Sequence, residues 1–255
     1  MRGSGQVAVV LKSASEIEKM RRAGRVVREV LELVRSKVKP GVTTYDLEKA
    51  AEERLKELGI KPAFKGYHGY PCALCTSINS EVVHGIPSPK RVLKNGDIVS
   101  IDFGVVADGY YGDAAITVPV GTIDPQSARL LRATEESLEA AIRAVRPGAT
   151  LGDIGATVQA VVEGEGFSVV RDFVGHGIGV QMHEDPQIPN FGEAGRGMKL
   201  KEGMVLAIEP MVNAGGPDVK VLADGWTAVA KDGSMSAHFE HTVAVTPTGS
   251  RILTE

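Results

Sequence analysis

The sequence predicts an α+β domain built from two fused copies of one half-chain design, in which a pair of helices precedes a set of strands. Three observations predict it. Val38-Lys39-Pro40-Gly41-Val42-Thr43 returns as Val145-Arg146-Pro147-Gly148-Ala149-Thr150, a displacement of 107 residues, and the match carries Asp46-Leu47 onto Asp153-Ile154. At the same displacement Leu93-Lys94-Asn95-Gly96 falls on Leu200-Lys201-Glu202-Gly203, and Ile101-Asp102 falls on Ile208-Glu209. Within each copy, apolar residues recur first at helical spacing and then in short strand-like runs. An acid therefore ends an apolar strand in each half, which points to a charged site between the halves.

Ser15, with Glu18 three residues on, has the capping-box spacing for a first helix, and Ile17, Met20, Val27, Leu31, Val34 and Val38 lie along one stripe of it. Pro40-Gly41 stops that helix. Thr43 or Thr44 starts a second, with Leu47, Ala51, Leu55 and Leu58 facing inward and Gly59 ending it. In the second half Asp124-Pro125 opens a helix, Leu131, Leu138, Ile142 and Val145 form its face, and Pro147-Gly148 closes it. A fourth helix runs from about Thr150 to Gly164. Strands are expected at 98–106, 110–118, 168–174, 204–211, 226–230 and 239–245, with Ala107-Asp108-Gly109 turning the first into the second. Residues 191–197 and 213–218 read as loops.

A chain of 255 residues can bury a substantial core. The repeat favours one domain at 13–255, with halves at about 13–123 and 124–255, behind a tail at 1–12 whose Met1-Arg2-Gly3-Ser4-Gly5 reads as an expression remnant. The 29 Lys and Arg against 32 Asp and Glu leave a net charge of −3, so no long-range attraction to nucleic acid or an anionic membrane is implied. There is no run of about eighteen apolar residues and no secretory signal pattern, and the expectation is a soluble cytoplasmic protein. Cys72 and Cys75 are the only cysteines. Without a second pair for structural zinc, or a thioredoxin-like context, they read as two reduced thiols.

Asp102 and Asp113 flank the Asp108-Gly109 turn and are expected nearly opposite each other across the hairpin, where β-carbons lie roughly 4.5–5.5 Å apart. Two ionised carboxylates there, on otherwise apolar strands, need protons or cations. Glu209, between Ile208 and Pro210, and Glu240, in His238-Phe239-Glu240-His241-Thr242, give the second half two acids as well. Four acids and a neutral imidazole suit two divalent ions about 3.5–4 Å apart. His176, in Gly175-His176-Gly177-Ile178-Gly179, is the imidazole candidate. His84, in Val83-His84-Gly85-Ile86-Pro87, and His183, in Met182-His183-Glu184, are candidates for binding substrate, although each context equally suits a satisfied loop histidine. His68, His238 and His241 read as background.

Together these motifs resemble the methionine aminopeptidases of the pita-bread metallopeptidase fold, in their short type I form, over about Ser13 to Leu253. The resemblance implies two pseudo-twofold halves, a curved and mainly antiparallel sheet backed by helices, and removal of the N-terminal methionine from peptides and nascent proteins, with small second residues favoured. It implies that Asp102 chelates one metal, that Asp113 and Glu240 bridge, and that His176 and Glu209 complete the other site. It makes Glu209 the proton shuttle, turns His84 toward the substrate amine and scissile amide, and turns His183 toward the carbonyl side. Tyr67, Tyr70, Cys75 and Trp226 fall where the family lines its methionine pocket. Met182 stands where bacterial members often carry Phe, which keeps the wall apolar but alters its shape.

Glu209 and Glu240 are 31 positions apart, too close for the type II helical insertion, and no zinc-finger extension precedes Ser13. The implied cofactor is two divalent ions, with cobalt, manganese, iron and zinc all compatible with carboxylate and imidazole donors. The implied partners are N-terminal Met peptides, nascent chains and the ribosome, for a monomer without nucleic-acid or membrane specificity. An X-Pro aminopeptidase or prolidase shares the five ligands, but usually carries a separate N-terminal domain and lacks Cys75 together with Trp226. A non-catalytic interaction protein on the same scaffold would be expected to have eroded ligands, and a dimetal phosphatase would need an arginine or glycine-loop phosphate cradle.

Overall fold

A computed structural model describes residues 9–255, so the reading of Met1 to Gly5 as a remnant lies outside the described residues. The first half runs through α1 (Ala14–Lys37), α2 (Thr44–Leu58), β1 (Lys61–Pro62), a 3-10 turn at Tyr67–Gly69, β2 (Leu74–Ile78), β3 (Glu81–Val83), β4 (Ile98–Ala107) and β5 (Tyr110–Pro119). The second begins with α3 (Pro125–Ala144), α4 (Leu151–Gly164), β6 (Ser168–Val169), β7 (Gly175–Gly177) and β8 (Glu184–Ile188). It continues with β9 (Val205–Ile208), β10 (Met211–Asn213), β11 (Val219–Val221), β12 (Ala228–Ala230), β13 (Ser236–His238), β14 (Glu240–Thr246) and β15 (Gly249–Ile252). No helix among the described residues is long and apolar enough to cross a membrane.

The cap of helix α1 lies two residues before the expected one. Ser13, not Ser15, accepts from the Glu16 amide, and the Glu16 carboxylate accepts from the Ser13 amide. Both serines have the required spacing. Glu16 also receives the Tyr110 hydroxyl of β5 at 2.9 Å, whereas Glu18 is taken by Arg21. Helices α2 and α4 start from capping boxes at Thr43 with Asp46 and at Thr150 with Asp153. These boxes are two copies of one motif, and each threonine bridges to an equivalent partner, Thr43 to Val92 and Thr150 to Lys199. Asp124 caps α3 with Pro125 at its first position. Gly59 caps α2 at a φ of 66°, in the left-handed region that favours glycine.

Nine strands form one sheet in the order β1-β4-β5-β14-β9-β7-β8, with β2 beside β4 and β15 beside β14, and these pairings are antiparallel. Helices α1 and α2 bury Val27, Leu31, Val34 and Leu47 against Val99, Ile101 and Phe103 of β4. Helices α3 and α4 bury Leu138, Ile142, Ile154 and Val158 against Leu206, Ile208, Val243 and Val245. Each helix pair thus covers its own part of the sheet. On β4 the odd-numbered residues enter this core, and strand alternation leaves Asp102 on the other face.

The hairpin turn is tighter than expected. Ala107 pairs with Tyr110, so only Asp108 and Gly109 turn, both at positive φ. Asp113 therefore lies opposite Gly104, and Asp102 lies opposite Ala115. The two aspartates are diagonal neighbours on one face, a separation that side chains still span.

The expected strand at 204–211 is two strands, β9 and β10, broken at Glu209-Pro210, where proline cannot donate to a ladder. β10 leaves the large sheet and joins a three-stranded sheet, β13-β10-β6. Only Ser168–Val169 of 168–174 and Ala228–Ala230 of 226–230 are extended and paired. The unexpected strands β1, β2, β3, β7, β8, β11, β13 and β15 are at most five residues long, and their pairing partners, not their own periodicity, make them strands.

The halves correspond in register. Ile101 pairs with Ile116, Gly104 with Asp113 and Val105 with Gly112, while Ile208 pairs with His241, Met211 with His238 and Val212 with Ala237. Displacing the first strand by 107 and the second by 125 converts the first set into the second. The larger displacement accommodates the β11–β12 excursion between β10 and β13.

Candidate metal centre and substrate pocket

The five expected ligands fall on five adjacent strands of the sheet. Asp102 is on β4, Asp113 on β5, Glu240 opens β14, Glu209 follows β9 and His176 is on β7. They meet in one cavity of about 430 Å³, which is also lined by His84, His183, Tyr67, Tyr70, Cys75, Met182 and Trp226. Phe64, Val83, Phe173, Val174 and Met211 also line it and were not foreseeable from motif spacing, and His68, read as background, lines it too.

Asp113, His176 and Glu240 are buried, at 3%, 8% and 2% exposure. Asp102 Oδ1, Asp113 Oδ1 and Glu240 Oε1 are buried without any hydrogen-bond partner. Burial, which disfavours charge, pushes Asp113 up to about 7. It drives Asp102 and Glu209 well above the usual carboxylate range, with neighbouring carboxylates adding to the effect, and does the same to Glu240. Such a cluster is satisfied by protons or by cations.

His176 points to cations. Its Nδ1 lies 2.9 Å from the Gly177 carbonyl, which only accepts, so Nδ1 carries the proton and Nε2 presents a lone pair. Nε2 lies 3.5 Å from Glu209 Oε1, which can only accept while that carboxylate is ionised. Burial, then His183, lowers the His176 pKa to about 4, so the ring is neutral and cannot supply the missing charge. Donor atoms of Asp113, His176 and Glu240 lie within 4.8 Å of one another, as do those of Glu209, His238 and Glu240. Glu240 belongs to both groups and Asp102 to neither. Hard carboxylate oxygens with imidazole nitrogen suit divalent first-row metals, and the residues present fit such ions.

The pocket wall is a separate apolar cluster of Phe64, Tyr70, Cys75 and Met182, with Tyr67 and Trp226 packed against it. The Tyr70 hydroxyl lies 3.0 Å from Leu74 O and 3.1 Å from Gly85 O, and its ring meets Trp226 edge-on at 5.1 Å. Burial holds the Cys75 thiol protonated, and pushes the partly buried Cys72 up to about 11. Both cysteines are free thiols.

His84 sits at a φ of 62°, a costly conformation for a non-glycine residue. Its neighbour Gly85 anchors it, accepting from the Thr76 amide at 2.7 Å, and a Cβ there would fall 2.2 Å from Thr76 O. Its ring meets Phe173 edge-on at 5.7 Å. Burial, then His183, lowers its pKa to about 4. Burial, then His68, lowers that of His183. The Tyr67 hydroxyl shares a 2.8 Å hydrogen bond with His183 Nδ1, so Tyr67 orients this ring as well as lining the pocket.

The reading of His238 as background does not hold. It is 1% exposed, its Nε2 is 3.7 Å from Glu209 Oε2, and burial lowers its pKa to about 3. The available signal is alternation, since His238 precedes Glu240 by two. His241 stays outside the site and shares a 2.8 Å hydrogen bond with Thr254 near the C-terminus.

These strands, helices and buried donors define a metallopeptidase. The sequence pattern of Metallopeptidase family M24 matches residues 18–247, and the chain belongs to that family. Within it the similarity runs to methionine aminopeptidases. That of Clostridium perfringens is 52% identical over 246 residues, covering 96% of this chain and 98% of its own, and that of Escherichia coli K12 is 47% identical over 249 residues, covering 97% and 94%. A crystal structure of the Thermotoga maritima methionine aminopeptidase superposes with a TM-score of 0.96 at 52% identity, covering 97% of this chain and all of that one. The prolidase of Pyrococcus horikoshii shares the fold alone, with a TM-score of 0.76 at 24% identity over 63% of its length. The fold is the pita-bread α+β architecture.

Proposed function

We propose that the chain is a dimetal aminopeptidase that removes the N-terminal methionine from peptides and nascent chains, favouring small second residues. One observation carries this reading: four carboxylates and a lone-pair-presenting imidazole share a cavity with the apolar cluster of Tyr70, Cys75, Met182 and Trp226. Asp102, Asp113, His176, Glu209 and Glu240 would hold two ions of manganese, iron, cobalt or zinc, which when bound supply a Lewis acid and lower the pKa of a water.

The apolar cluster takes the thioether by burial and dispersion. One methylene discriminates by about 1–3 kcal/mol, so residues of similar shape are cleaved slowly rather than refused. Glu209, with 14% of its side chain exposed, accepts the proton of the attacking water and returns it to the leaving amine. His84 and His183, neutral through burial, donate to the scissile amide and to the oxygen that gains charge. Tyr67 fixes the His183 ring for that role.

The same reading includes a single domain of halves at about 13–123 and 124–255 behind a tail at 1–12, a monomer, a cytoplasmic setting and contact with the ribosome. Two free thiols support a reducing compartment. Protein purified without added metal, then assayed with a Met-Ala peptide and an X-Pro peptide, tests the function. Methionine release that chelation abolishes and a divalent ion restores is expected. Cleavage confined to the X-Pro peptide would transfer the chain to the prolidase reading, and full turnover in Asp113→Asn or Glu240→Gln would remove the proposed centre.

A further inference from the structure

We propose that His238 is a positioning residue of this centre, whose Nε2–H donates to Glu209 Oε2 and leaves Glu209 Oε1 for the metal. The inference rests on the function proposed above and adds a residue to it. His238 precedes Glu240 by two on an extended segment, so both project from one face. Both of its ring nitrogens are buried without a partner, which is costly unless a neighbour is meant to take up one of them.

The backbone of His238 is pinned by a device that occurs twice. The His238 amide donates to Thr117 Oγ1 at 2.9 Å, and the Thr117 hydroxyl donates to His238 O at 2.8 Å. The Asp113 amide donates to Thr242 Oγ1 at 3.1 Å, and the Thr242 hydroxyl donates to Asp113 O at 2.8 Å. The displacement that relates β5 to β13 and β14 carries Asp113 onto His238 and Thr117 onto Thr242. His238 therefore holds in the second half the place that Asp113 holds in the first. Asp102 has Asp113 as its diagonal neighbour, and Glu209 has His238. A further carboxylate here would add charge to a cluster that already holds four; an imidazole supplies a donor.

The surroundings separate positioning from ligation. A metal-bound histidine almost always donates its other ring N–H to an acceptor, as His176 does to Gly177 O. His238 Nδ1 has no such acceptor, and nothing prevents the proton from residing on Nε2. The 3.7 Å gap to Glu209 Oε2 is about 0.7 Å longer than an N–H···O bond. Asn190 Nδ2 holds the Glu209 carbonyl at 2.9 Å, so a side-chain rotation closes the gap without moving the backbone.

The test compares full-length His238→Gln, His238→Asn and His238→Leu with the parent. The Gln amide nitrogen reaches about where Nε2 lies, and that of Asn about where Nδ1 lies. Mn(II) is titrated calorimetrically into metal-stripped protein, Co(II) visible spectra are recorded, and kcat and KM are measured on a Met-Ala peptide. His238→Leu and His238→Asn should weaken Mn(II) binding by about 10–100-fold and lower kcat more than they raise KM. His238→Gln should return within about threefold of the parent, with Co(II) bands at the parent energies. Should the Leu variant not fold, the Gln and Asn variants still give the comparison. Parent-like Mn(II) affinity in the Asn variant, or in a folded Leu variant, overturns the inference. So do shifted Co(II) bands in the Gln variant, which would make His238 a ligand. A parent that binds no divalent ion or releases no methionine instead removes the underlying function.

Discussion

Glu48 lies on α2 at 2% exposure, and its two carboxylate oxygens accept the amides of Ala73 at 2.7 Å and Leu74 at 2.9 Å. Those amides lead into β2, the strand that sets Cys75 opposite Asp102. In Glu48→Leu both donors stay buried with nothing to bond, at about 1–3 kcal/mol each. Removing the buried carboxyl also removes its own desolvation cost, so about 4 kcal/mol is the expected upper centre. For a chain of this size each kcal/mol moves Tm by roughly 2–4 °C, which places the Leu variant roughly 8–16 °C below the parent at one fixed free-metal concentration. Glu48→Gln keeps one acceptor but turns an NH2 group on the other amide, and about half that loss is expected.

The same substitution carries a pH signature. Burial raises the Glu48 carboxyl above its ordinary value of 4.5, outweighing the two amides that lower it. The folded state then binds the proton more tightly than the unfolded state does. This contribution to stability is full below the unfolded value and is lost as pH rises through the folded one. The stability of the parent minus that of Glu48→Gln should therefore shrink with rising pH, measured by urea denaturation of metal-stripped protein. Titration of the metal-site carboxylates is common to both proteins and cancels. A Leu variant as stable as the parent, or a difference that grows with pH, refutes the reasoning.

Lys12 and Glu184 form an ion pair with side chains only 3% and 7% exposed, so Lys12→Met strands a buried carboxylate and should cost about 3–5 kcal/mol by urea denaturation. Adding Glu184→Gln should recover most of that loss. Gly24→Ala would set a Cβ 2.0 Å from the Leu253 carbonyl, a backbone atom that no rotamer change can move, so Tm should fall despite the about 1 kcal/mol that alanine gains in helix propensity. Tyr67→Phe removes the hydrogen bond to His183 Nδ1, worth about 1–1.5 kcal/mol, and should lower kcat/KM on a Met-Ala peptide about tenfold while Tm falls by no more than roughly 2–6 °C. Parent-like kcat/KM in that variant would show that His183 needs no such support.

The helices are legible in the sequence because their determinants are local. Thr43 with Asp46, Thr150 with Asp153 and Asp124-Pro125 each declare a helix start within four residues. Where two serines offer the same spacing, as Ser13 and Ser15 do, the choice falls to Tyr110 on a distant strand. The acids are legible for a different reason: Asp102, Asp113, Glu209 and Glu240 interrupt runs that otherwise read as core. Their meeting in one cavity follows from burial and strand order.

His238 is not legible in this way. A histidine two residues from an acid is common, and its importance comes from pairing opposite Met211, twenty-seven positions earlier, beneath Glu209. Asp113 is displaced from the expected register by two residues, lying opposite Gly104 instead of Asp102, which keeps both acids on one face; turn length sets which residue faces it. By itself the sequence determines the doubled plan, the four long helices and the inventory of buried acids, because propensity, capping and periodicity act over a few residues. Tertiary structure decides which of those acids are neighbours and which histidine joins them. Register between strands far apart in the chain sets that, and one step of register exchanges the face on which every side chain stands.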